Sequence, residues 1–340
     1  MKSLISIIAF LMLSFTAFCQ GGVNFEHITF DEALAKAKAE NKLVFMDCYT
    51  SWCGPCKYMS ETIFPQEKAG EFFNPKFVCV KFDMEKGEGP ELAKKFGVRA
   101  YPTFVIVNPD GTIRHKLVGG GEGEKFIERV KESFDDNKAL GALDAKYNSG
   151  NRDKAFLSQY AQVMVANYDP NAKAIVDELL KISTDEEKLS EDYWFIFGNS
   201  ELSPKDSEAA KFLTDNRSKF NETIGKEKVD NRLSEGLFRE ILMVIAGRGQ
   251  KTDVKRLDAI GREVKALKLS NEKTLLSSLA IAKAVKTENI DKILTACEKE
   301  LPKLGKDSQM IAYYLSGSLA KANDTQKARW QKIVQANTGK

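Results

Sequence analysis

The sequence predicts an α/β domain with a mixed β-sheet, followed by an all-helical, solenoid-like domain. Short β-rich runs alternate with helical stretches from about residue 25 to residue 136, whereas only amphipathic helical stretches follow, up to residue 340. A chain of 340 residues is also too long to fold around one typical hydrophobic core, which favours two domains. Its 43% hydrophobic and 29% charged residues are near the average of globular proteins, which argues against long disordered regions.

Four strands and four helices are predicted in the α/β domain. The run LVFMDCY, 43–49, is apolar apart from one acid and predicts a buried strand, and FVCVKFD, 77–83, predicts the next one. The tight turn NPDG, 108–111, separates strands 103–108 and 112–118, which predicts an antiparallel hairpin. Helices are predicted over 31–42, 56–73, 90–96 and 124–134.

The second domain is predicted as antiparallel helix pairs stacked into an irregular solenoid. Several predicted helices begin after a residue that favours the N-cap position, such as Ser270, Thr287 and Asp307. No repeat of fixed period is present, so a tetratricopeptide array stays an undemonstrated alternative. The helices are predicted over 138–148, 152–168, 171–183, 185–197, 204–222, 226–247, 252–267, 271–286, 288–300, 307–321 and 324–336.

The first 19 residues predict a signal peptide. They begin with a methionine and one lysine and continue as an apolar run to Phe18, shorter than the ~20 residues of a spanning helix. The small residues Ala17 and Cys19 suit cleavage before Gln20, which favours removal over a permanent anchor. Lipid attachment at Cys19 is the less favoured alternative, because Phe18 is too large for that signal. The mature protein is therefore expected to be exported to the periplasm.

Charge and cysteine content exclude several classes of protein. A net charge of +3, without a basic block, argues against nucleic acid as the main partner. Once Cys19 is removed, five cysteines remain, too few and of the wrong parity for a disulfide-stapled domain.

The glycine-rich stretch 119–123 lacks the spacing of a nucleotide-binding loop and predicts a flexible turn.

The stretch TSWCGPCKYM, 50–59, contains the one C-x-x-C pair of the chain. Such a pair fits a redox dithiol, half of a zinc site or a structural staple. Cys53 is predicted where a strand turns into a helix, through Gly54 and with Pro55 in the first turn. The free N–H groups of that helix favour a thiolate, so Cys53 is expected to be an exposed attacking sulfur and Cys56 a shielded, resolving one.

A zinc site is the main alternative to the redox pair. Structural zinc needs four ligands, and the chain supplies only two histidines, His27 and His115, and no second C-x-x-C pair. Redox chemistry without a metal is therefore the favoured interpretation.

Asp47 is expected to be buried because it follows the apolar residues 43–46. Burial would raise its pKa and allow it to accept or relay a proton near Cys56.

The hexapeptide WCGPCK, 52–57, resembles the active site of thioredoxins, and the similarity extends over roughly residues 25–136. This resemblance implies the thioredoxin fold, a redox-active Cys53–Cys56 disulfide and no cofactor. Asp47 stands where thioredoxins carry their buried acid, and Lys81 stands where the lysine facing that acid is expected.

The resemblance also implies a substrate-binding surface. Tyr101 and Pro102 are similar to the cis-proline element, which binds substrate backbone, and proline is the residue that forms cis peptide bonds. Gly119 resembles the late glycine that leaves room for an incoming chain. Trp52, together with Gly54 and Pro55 between the cysteines, is expected to shape the docking surface.

Two departures refine the resemblance. The helix has no proline shortly after Cys56, where thioredoxins usually carry one. The segment from Cys56 to Phe73 is also longer than in thioredoxins. With the export signal, this is more similar to the thioredoxin-like domains of exported bacterial thiol reductases. The implied partners are disulfide-containing client proteins and a membrane thiol electron donor. The domains are predicted as a signal peptide at 1–19, a thioredoxin-like domain at 20–137 and a helical domain at 138–340.

Three functional hypotheses follow from these observations. The leading one is an exported protein-disulfide reductase. The second is a disulfide oxidase or isomerase, and the third is a protein-binding module whose dithiol is accessory. The helical domain is predicted to bind protein or to self-associate. Among the other cysteines, Cys48, Cys79 and Cys297 are predicted as buried free thiols, and His115 is predicted to face solvent.

Overall fold

The structure is a computed structural model that describes residues 21–338. The predicted signal peptide, including Cys19, lies outside the described residues. The chain divides into two compact units between Ser183 and Thr184. The first unit therefore contains helices beyond the predicted domain boundary at 137/138, and that boundary stays a prediction.

The first unit contains five strands and eight α-helices within the described residues. In chain order they are β1 (Phe25–Glu26), α1 (Phe30–Glu40), β2 (Leu43–Tyr49), α2 (Gly54–Tyr58), α3 (Glu67–Phe73), β3 (Phe77–Asp83), α4 (Gly89–Lys95), β4 (Thr103–Val107), β5 (Ile113–Val118), α5 (Gly123–Lys131), α6 (Leu140–Asn148), α7 (Lys154–Ala166) and α8 (Ala172–Ile182).

The five strands form one mixed sheet in the order β1-β3-β2-β4-β5. β3 runs parallel to β1 and to β2, whereas β4 runs antiparallel to β2 and to β5. This sheet with helices on both faces confirms the predicted thioredoxin fold. The short strand β1 was not predicted, because two residues carry no readable periodicity.

The two faces of the sheet bury different parts of β2. Val44, Met46 and Cys48 belong to a core shared with α1 and α4. Phe45 belongs to the opposite core, which α3, α5 and the π-helical turn Met59–Ile63 directly after α2 cover. Because side chains alternate along a strand, Asp47 points to the same face as Phe45, the face that carries α2.

The predicted helix 56–73 is interrupted in the structure. α2 continues into a π-helical turn over Met59–Ile63, and α3 begins after Gln66, whose backbone is extended. Pro65 explains the break, because it has no N–H to donate and its ring clashes with the preceding turn. The prediction of one continuous helix was therefore wrong, although its outer bounds were close.

Helix α6 covers the edge strand β5. The backbone N–H of Leu140 donates to Nδ1 of His115 over 3.2 Å. Gly141 packs so closely that a Cβ atom there would lie 2.1 Å from the carbonyl oxygen of Ile113. His115 is consequently only 3% exposed, and the prediction that it faces solvent was wrong.

The second unit is helical and has its own hydrophobic core, formed mainly by α13 to α18. Two predicted helices, 185–197 and 204–222, are each broken into shorter pieces. Among residues 21–338, no helix combines the length and apolar character that crossing a membrane requires. The helices are α9 (Asp185–Lys188), α10 (Trp194–Phe197), α11 (Glu208–Asp215), α12 (Arg217–Phe220), α13 (Lys226–Ile245), α14 (Val254–Leu267), α15 (Glu272–Val285), α16 (Ile290–Glu300), α17 (Ser308–Ser318) and α18 (Asp324–Thr338).

Candidate active site

Cys53 and Cys56 form a disulfide at the N-terminus of α2. Their sulfur atoms are bonded at 1.98 Å, and their Cα atoms lie 5.3 Å apart. Cys53 is the N-cap residue, and its Sγ accepts a hydrogen bond from the backbone N–H of Cys56 over 3.2 Å. Pro55 lies in the first turn, where its missing N–H costs no hydrogen bond. The predicted strand-to-helix position of the pair is thus present.

The expected exposure of Cys53 is not observed in this disulfide-bonded state. Cys53 and Cys56 are each only 3% exposed. The reason is local: the sulfur of Cys53 is turned towards its partner and the helix N-terminus, and away from solvent. Gly54 and Pro55, between the two cysteines, are exposed. Gly54 also has open space around it, since a Cβ atom there would meet nothing within 4 Å.

Asp47 is a buried carboxyl on the sheet face that carries α2. It is 1% exposed, and its Oδ1 has no hydrogen-bond partner among the described residues. Burial raises its pKa from 3.8 to about 7, an effect that the charge of Lys81 reduces. A carboxyl with this pKa exchanges its proton near neutral pH, which is the property that proton transfer to or from a thiol requires.

Lys81 lies directly beside Asp47 in the sheet. The two residues are register partners on the parallel strands β2 and β3. Lys81 is half-buried and makes no direct ion pair with Asp47 within the described part of the chain; its Nζ lies 5.7 Å from the ring centre of Phe25. Its effect on the carboxyl is therefore electrostatic and acts at a distance.

Trp52 and Tyr101 form an aromatic surface next to the disulfide. Trp52 is 66% exposed, and its ring meets that of Tyr101 edge to face at 5.9 Å. The indole N–H donates to Oε1 of Glu85 over 3.0 Å. Sequence reasoning missed Glu85, because it lies in a loop after β3 whose approach to Trp52 depends on the tertiary fold.

The loop before β4 and the loop after β5 meet at the second side of the site. The Tyr101–Pro102 peptide bond is cis, and Pro102 is buried. The backbone N–H of Gly119 donates to the carbonyl oxygen of Pro102 over 2.8 Å. Gly119 has a φ of +78°, a conformation that glycine adopts without strain. The residues predicted around the substrate groove are therefore neighbours in this part of the structure.

Arg129, which the sequence did not single out, anchors the same glycine loop. Its guanidinium donates to the carbonyl oxygens of Val118, Gly119 and Gly120 over 2.8, 3.0 and 3.1 Å. Arginine on an amphipathic helix usually faces solvent, so no sequence signal distinguished this one.

The other cysteines lie outside the site. Cys48, Cys79 and Cys297 are buried free thiols, as predicted. Burial raises the pKa of each of these thiols, so they are poor nucleophiles at neutral pH. Within residues 21–338, no group of three or more histidine, cysteine or acidic side chains is arranged to hold a metal ion.

Comparison with known proteins matches the first unit. A family described as a thioredoxin-like domain matches residues 30–133. Thioredoxin-1 of Drosophila melanogaster is 36% identical over 86 residues, which cover 23% of this chain and 76% of the fly protein. Thioredoxin H-type of Oryza sativa subsp. indica is 39% identical over 90 residues, covering 26% of this chain and 68% of the rice protein.

A solved structure assigned as a disulphide-isomerase from Bacteroides thetaiotaomicron is 44% identical in sequence. The match covers 34% of this chain and 95% of the other, with a TM-score of 0.32.

The fold and the dithiol define a thiol–disulfide oxidoreductase-like protein. The fly and rice thioredoxins match this chain over 76% and 68% of their own length, and 36% and 39% of the aligned residues are identical. The chain belongs to the thioredoxin-like family. The helical remainder, from residue 134 onwards, lies outside the matched family domain.

Proposed function

We propose that the protein is an exported thiol–disulfide oxidoreductase that reduces disulfide bonds of client proteins. The observation that carries this proposal is the Cys53–Cys56 disulfide at the N-terminus of α2, on the sheet face that also buries the unpaired carboxyl of Asp47. In the proposed cycle, this bonded form is the state that follows reduction of a client.

The cycle begins with the reduced protein. The thiolate of Cys53, stabilised by the N–H groups and the positive end of α2, attacks one sulfur of a client disulfide. A bond forms between Cys53 and the client, and the second client sulfur leaves as a thiolate. Because Cys53 is only 3% exposed in the disulfide-bonded state, the reduced pair must present its sulfur to the client.

Resolution of the mixed disulfide uses Cys56 and Asp47. The Asp47 carboxylate accepts the proton of the Cys56 thiol, directly or through water, and the resulting thiolate attacks the sulfur of Cys53. The Cys53–Cys56 bond forms, the bond to the client breaks and the client leaves as a thiolate. Two electrons have passed from the dithiol to the client. A thiol donor, which we propose to be membrane-bound, must then reduce the pair again.

Trp52, Tyr101, Pro102 and Gly119 are proposed to bind an extended client segment beside the disulfide. They line both sides of the site, and Trp52, whose ring meets that of Tyr101, offers an exposed aromatic surface.

The reduction potential of the dithiol separates the reductase from an oxidase or isomerase. We expect equilibration with glutathione buffers to give a value near the ~−270 mV of thioredoxin. A value near ~−120 mV, typical of a strong oxidant, would rule out the reductase.

Insulin reduction tests the activity itself, with Cys53→Ser and Cys56→Ser as inactive controls. If the wild-type protein does not accelerate it with a thiol donor present, the proposed activity is wrong.

Export is the second part of the proposal and depends on the N-terminal apolar segment, outside the described residues. Fractionation of cells that express the full chain tests it. The processed protein is expected in the periplasmic fraction, and its retention in the cytoplasm would contradict export.

The second unit offers a candidate binding function. A cavity of about 590 Å³ lies between α11, α13 and α14, with an apolar floor that includes Leu213, Leu233 and Leu237. Its rim carries both arginines and glutamates, among them Arg239 and Glu235. A segment of an unfolded client, apolar with flanking charges of both signs, fits this lining. The helical domain would then hold clients for the dithiol, or act as the main functional part with the dithiol accessory.

A further inference from the structure

Arg129 forms an unusual set of hydrogen bonds next to the dithiol. Its Nη2 donates to the carbonyl oxygen of Val118, and its Nη1 donates to those of Gly119 and Gly120. The side chain is half-buried, and no carboxylate pairs with it directly among the described residues. All of its hydrogen bonds in this structure therefore go to one loop, and none of them goes to a neighbouring helix.

That loop has little intrinsic rigidity. Gly119, Gly120 and Gly121 follow one another, and glycine has the greatest backbone freedom of all residues. No side chain of these three residues can anchor the loop to the sheet. The guanidinium of Arg129, a planar group with donors in fixed directions, is the constraint that replaces such an anchor.

The loop touches both halves of the site. On one side, the N–H of Gly119 donates to the carbonyl oxygen of Pro102. On the other side, Gly120 lies against Met59, and a Cβ atom at position 120 would be 2.8 Å from the Met59 sulfur. Met59 directly follows α2, the helix that carries the disulfide. A displacement of the loop by even one ångström would therefore alter the groove between the disulfide and Pro102.

We propose that Arg129 is a positioning residue that holds the loop from Val118 to Gly120 as a wall of the client groove. It acts on the binding of extended polypeptide, and the electron transfer at the sulfurs does not involve it. This inference rests on the proposed function. It predicts a division between two kinds of substrate, since a small disulfide needs no groove whereas a protein disulfide does.

The test compares Arg129→Lys with wild type on insulin and on a small aromatic disulfide, 5,5′-dithiobis(2-nitrobenzoate). Lysine keeps the positive charge, but its three donors radiate from one nitrogen and lack the planar fork with which Nη1 and Nη2 of Arg129 reach separate carbonyl oxygens. We expect KM for insulin to rise about tenfold with kcat within about twofold, and the rate with the small disulfide to stay unchanged. The reduction potential should also match wild type.

Arg114→Lys is the matched control. Arg114 lies in the same unit and donates to the carbonyl oxygen of Ser133 and to Asp136, away from the disulfide. It should leave both assays unaltered. Amide hydrogen exchange of Gly119 is a second measurement, expected to be faster in Arg129→Lys and unchanged in Arg114→Lys.

The outcomes separate this inference from the proposed function. If wild type reduces insulin and Arg129→Lys does so with the same KM, Arg129 does not position the groove. Equal losses on both substrates would assign it a general structural role, and a shifted reduction potential would assign it an electrostatic one. Either result overturns the inference and leaves the reductase intact. If wild type does not reduce insulin, the proposed function itself fails.

Discussion

At the scale of single residues, Asp47 has opposite effects on stability and on activity. Its pKa is about 7 in the folded protein, against 3.8 for an ordinary aspartate. Between these values the folded state holds a proton that the unfolded state has lost, so the free energy of unfolding falls as pH rises from about 4 to 7. Above pH 7 the Asp47 carboxyl is ionised in the folded protein as well, so the burial of its charge lowers the free energy of unfolding by its full amount.

Asp47→Asn is therefore expected to stabilise the protein at pH 8 by about 4 kcal/mol, and by much less near pH 4. Urea unfolding at the two pH values measures this difference. Asp31→Asn, at an exposed acid in α1, is the control and should change little at either pH. A gain of equal size at both pH values would show that the substitution acts through packing and has no connection with ionisation.

The same substitution is expected to slow the resolution of the mixed disulfide by at least about tenfold, because Cys56 loses its proton acceptor. Rapid quenching of a reaction with excess insulin should show the Cys53–client species accumulating, as it does permanently in Cys56→Ser. The pH dependence of the rate should also lose its inflection near pH 7. If the inflection persists in Asp47→Asn, another group accepts the proton.

The position of Cys53 at the N-terminus of α2 leads to a prediction about alkylation. In the reduced protein the thiolate at the helix N-terminus should react with iodoacetamide near neutral pH, and well before Cys56, Cys48 or Cys79. Mass spectrometry of peptides after brief labelling identifies the site. Cys53→Ser should remove the fast-reacting thiol entirely. Labelling of Cys56 first in the wild-type protein would reverse the assigned roles of attacking and resolving sulfur.

At the scale of elements, α6 depends on the neutral form of His115. Burial and the nearby Arg114 and Arg129 lower the pKa of this histidine to about 4, and its Nδ1 accepts the hydrogen bond from Leu140. Between pH 6.5 and 4 the unfolded chain binds a proton that the folded protein excludes. The free energy of unfolding therefore falls as pH falls through this window, the reverse of the contribution of Asp47.

His115→Asn tests this account, because the Asn Oδ1 can accept the same hydrogen bond without titrating. The free energy of unfolding should become flatter between pH 6.5 and 4, with a relative gain of about 3 kcal/mol at the acid end. His27→Asn, at an exposed position, is the control. An unchanged acid slope in His115→Asn would show that other groups cause the acid sensitivity.

Local patterns predicted most elements, and the failures have physical causes. The strands 43–49 and 77–83 have the predicted bounds, because continuous apolar runs leave few alternatives. The helix 56–73 was wrong because the apolar periodicity continues across Pro65. The environment of His115 was wrong because α6 is distant in sequence and covers β5 only in the folded chain.

The residues of the candidate site also fall into two groups, those that local sequence predicted and those that it did not. Asp47, Cys53 and Cys56 were predicted because residue type and spacing within a short segment determine their positions. The roles of Arg129 and Glu85 could not be predicted, because they depend on which loops meet in three dimensions.

At the scale of the whole molecule, the chain joins a thioredoxin-like unit to a helical unit with a cavity of its own. Gly236, in the middle of α13, lines that cavity, and a Cβ atom there would meet nothing within 4 Å. A glycine inside a helix costs about 1 kcal/mol relative to alanine, so stability alone does not favour it. We expect that its lack of a side chain keeps the cavity open for a client segment.

Gly236→Leu should fill part of the cavity and also strengthen α13. The expected results are a small gain in thermal stability, at least a tenfold loss of affinity for reduced, carboxymethylated lactalbumin, and unchanged reduction of a small disulfide, because the dithiol belongs to the other unit. Fluorescence anisotropy measures the affinity for this permanently unfolded probe. Ser316→Leu, an exposed substitution on α17 outside the cavity, controls for added hydrophobic surface. Equal affinity of Gly236→Leu and wild type would exclude the cavity as the client site, whereas loss of small-disulfide reduction would mean that filling the cavity also disturbs the dithiol.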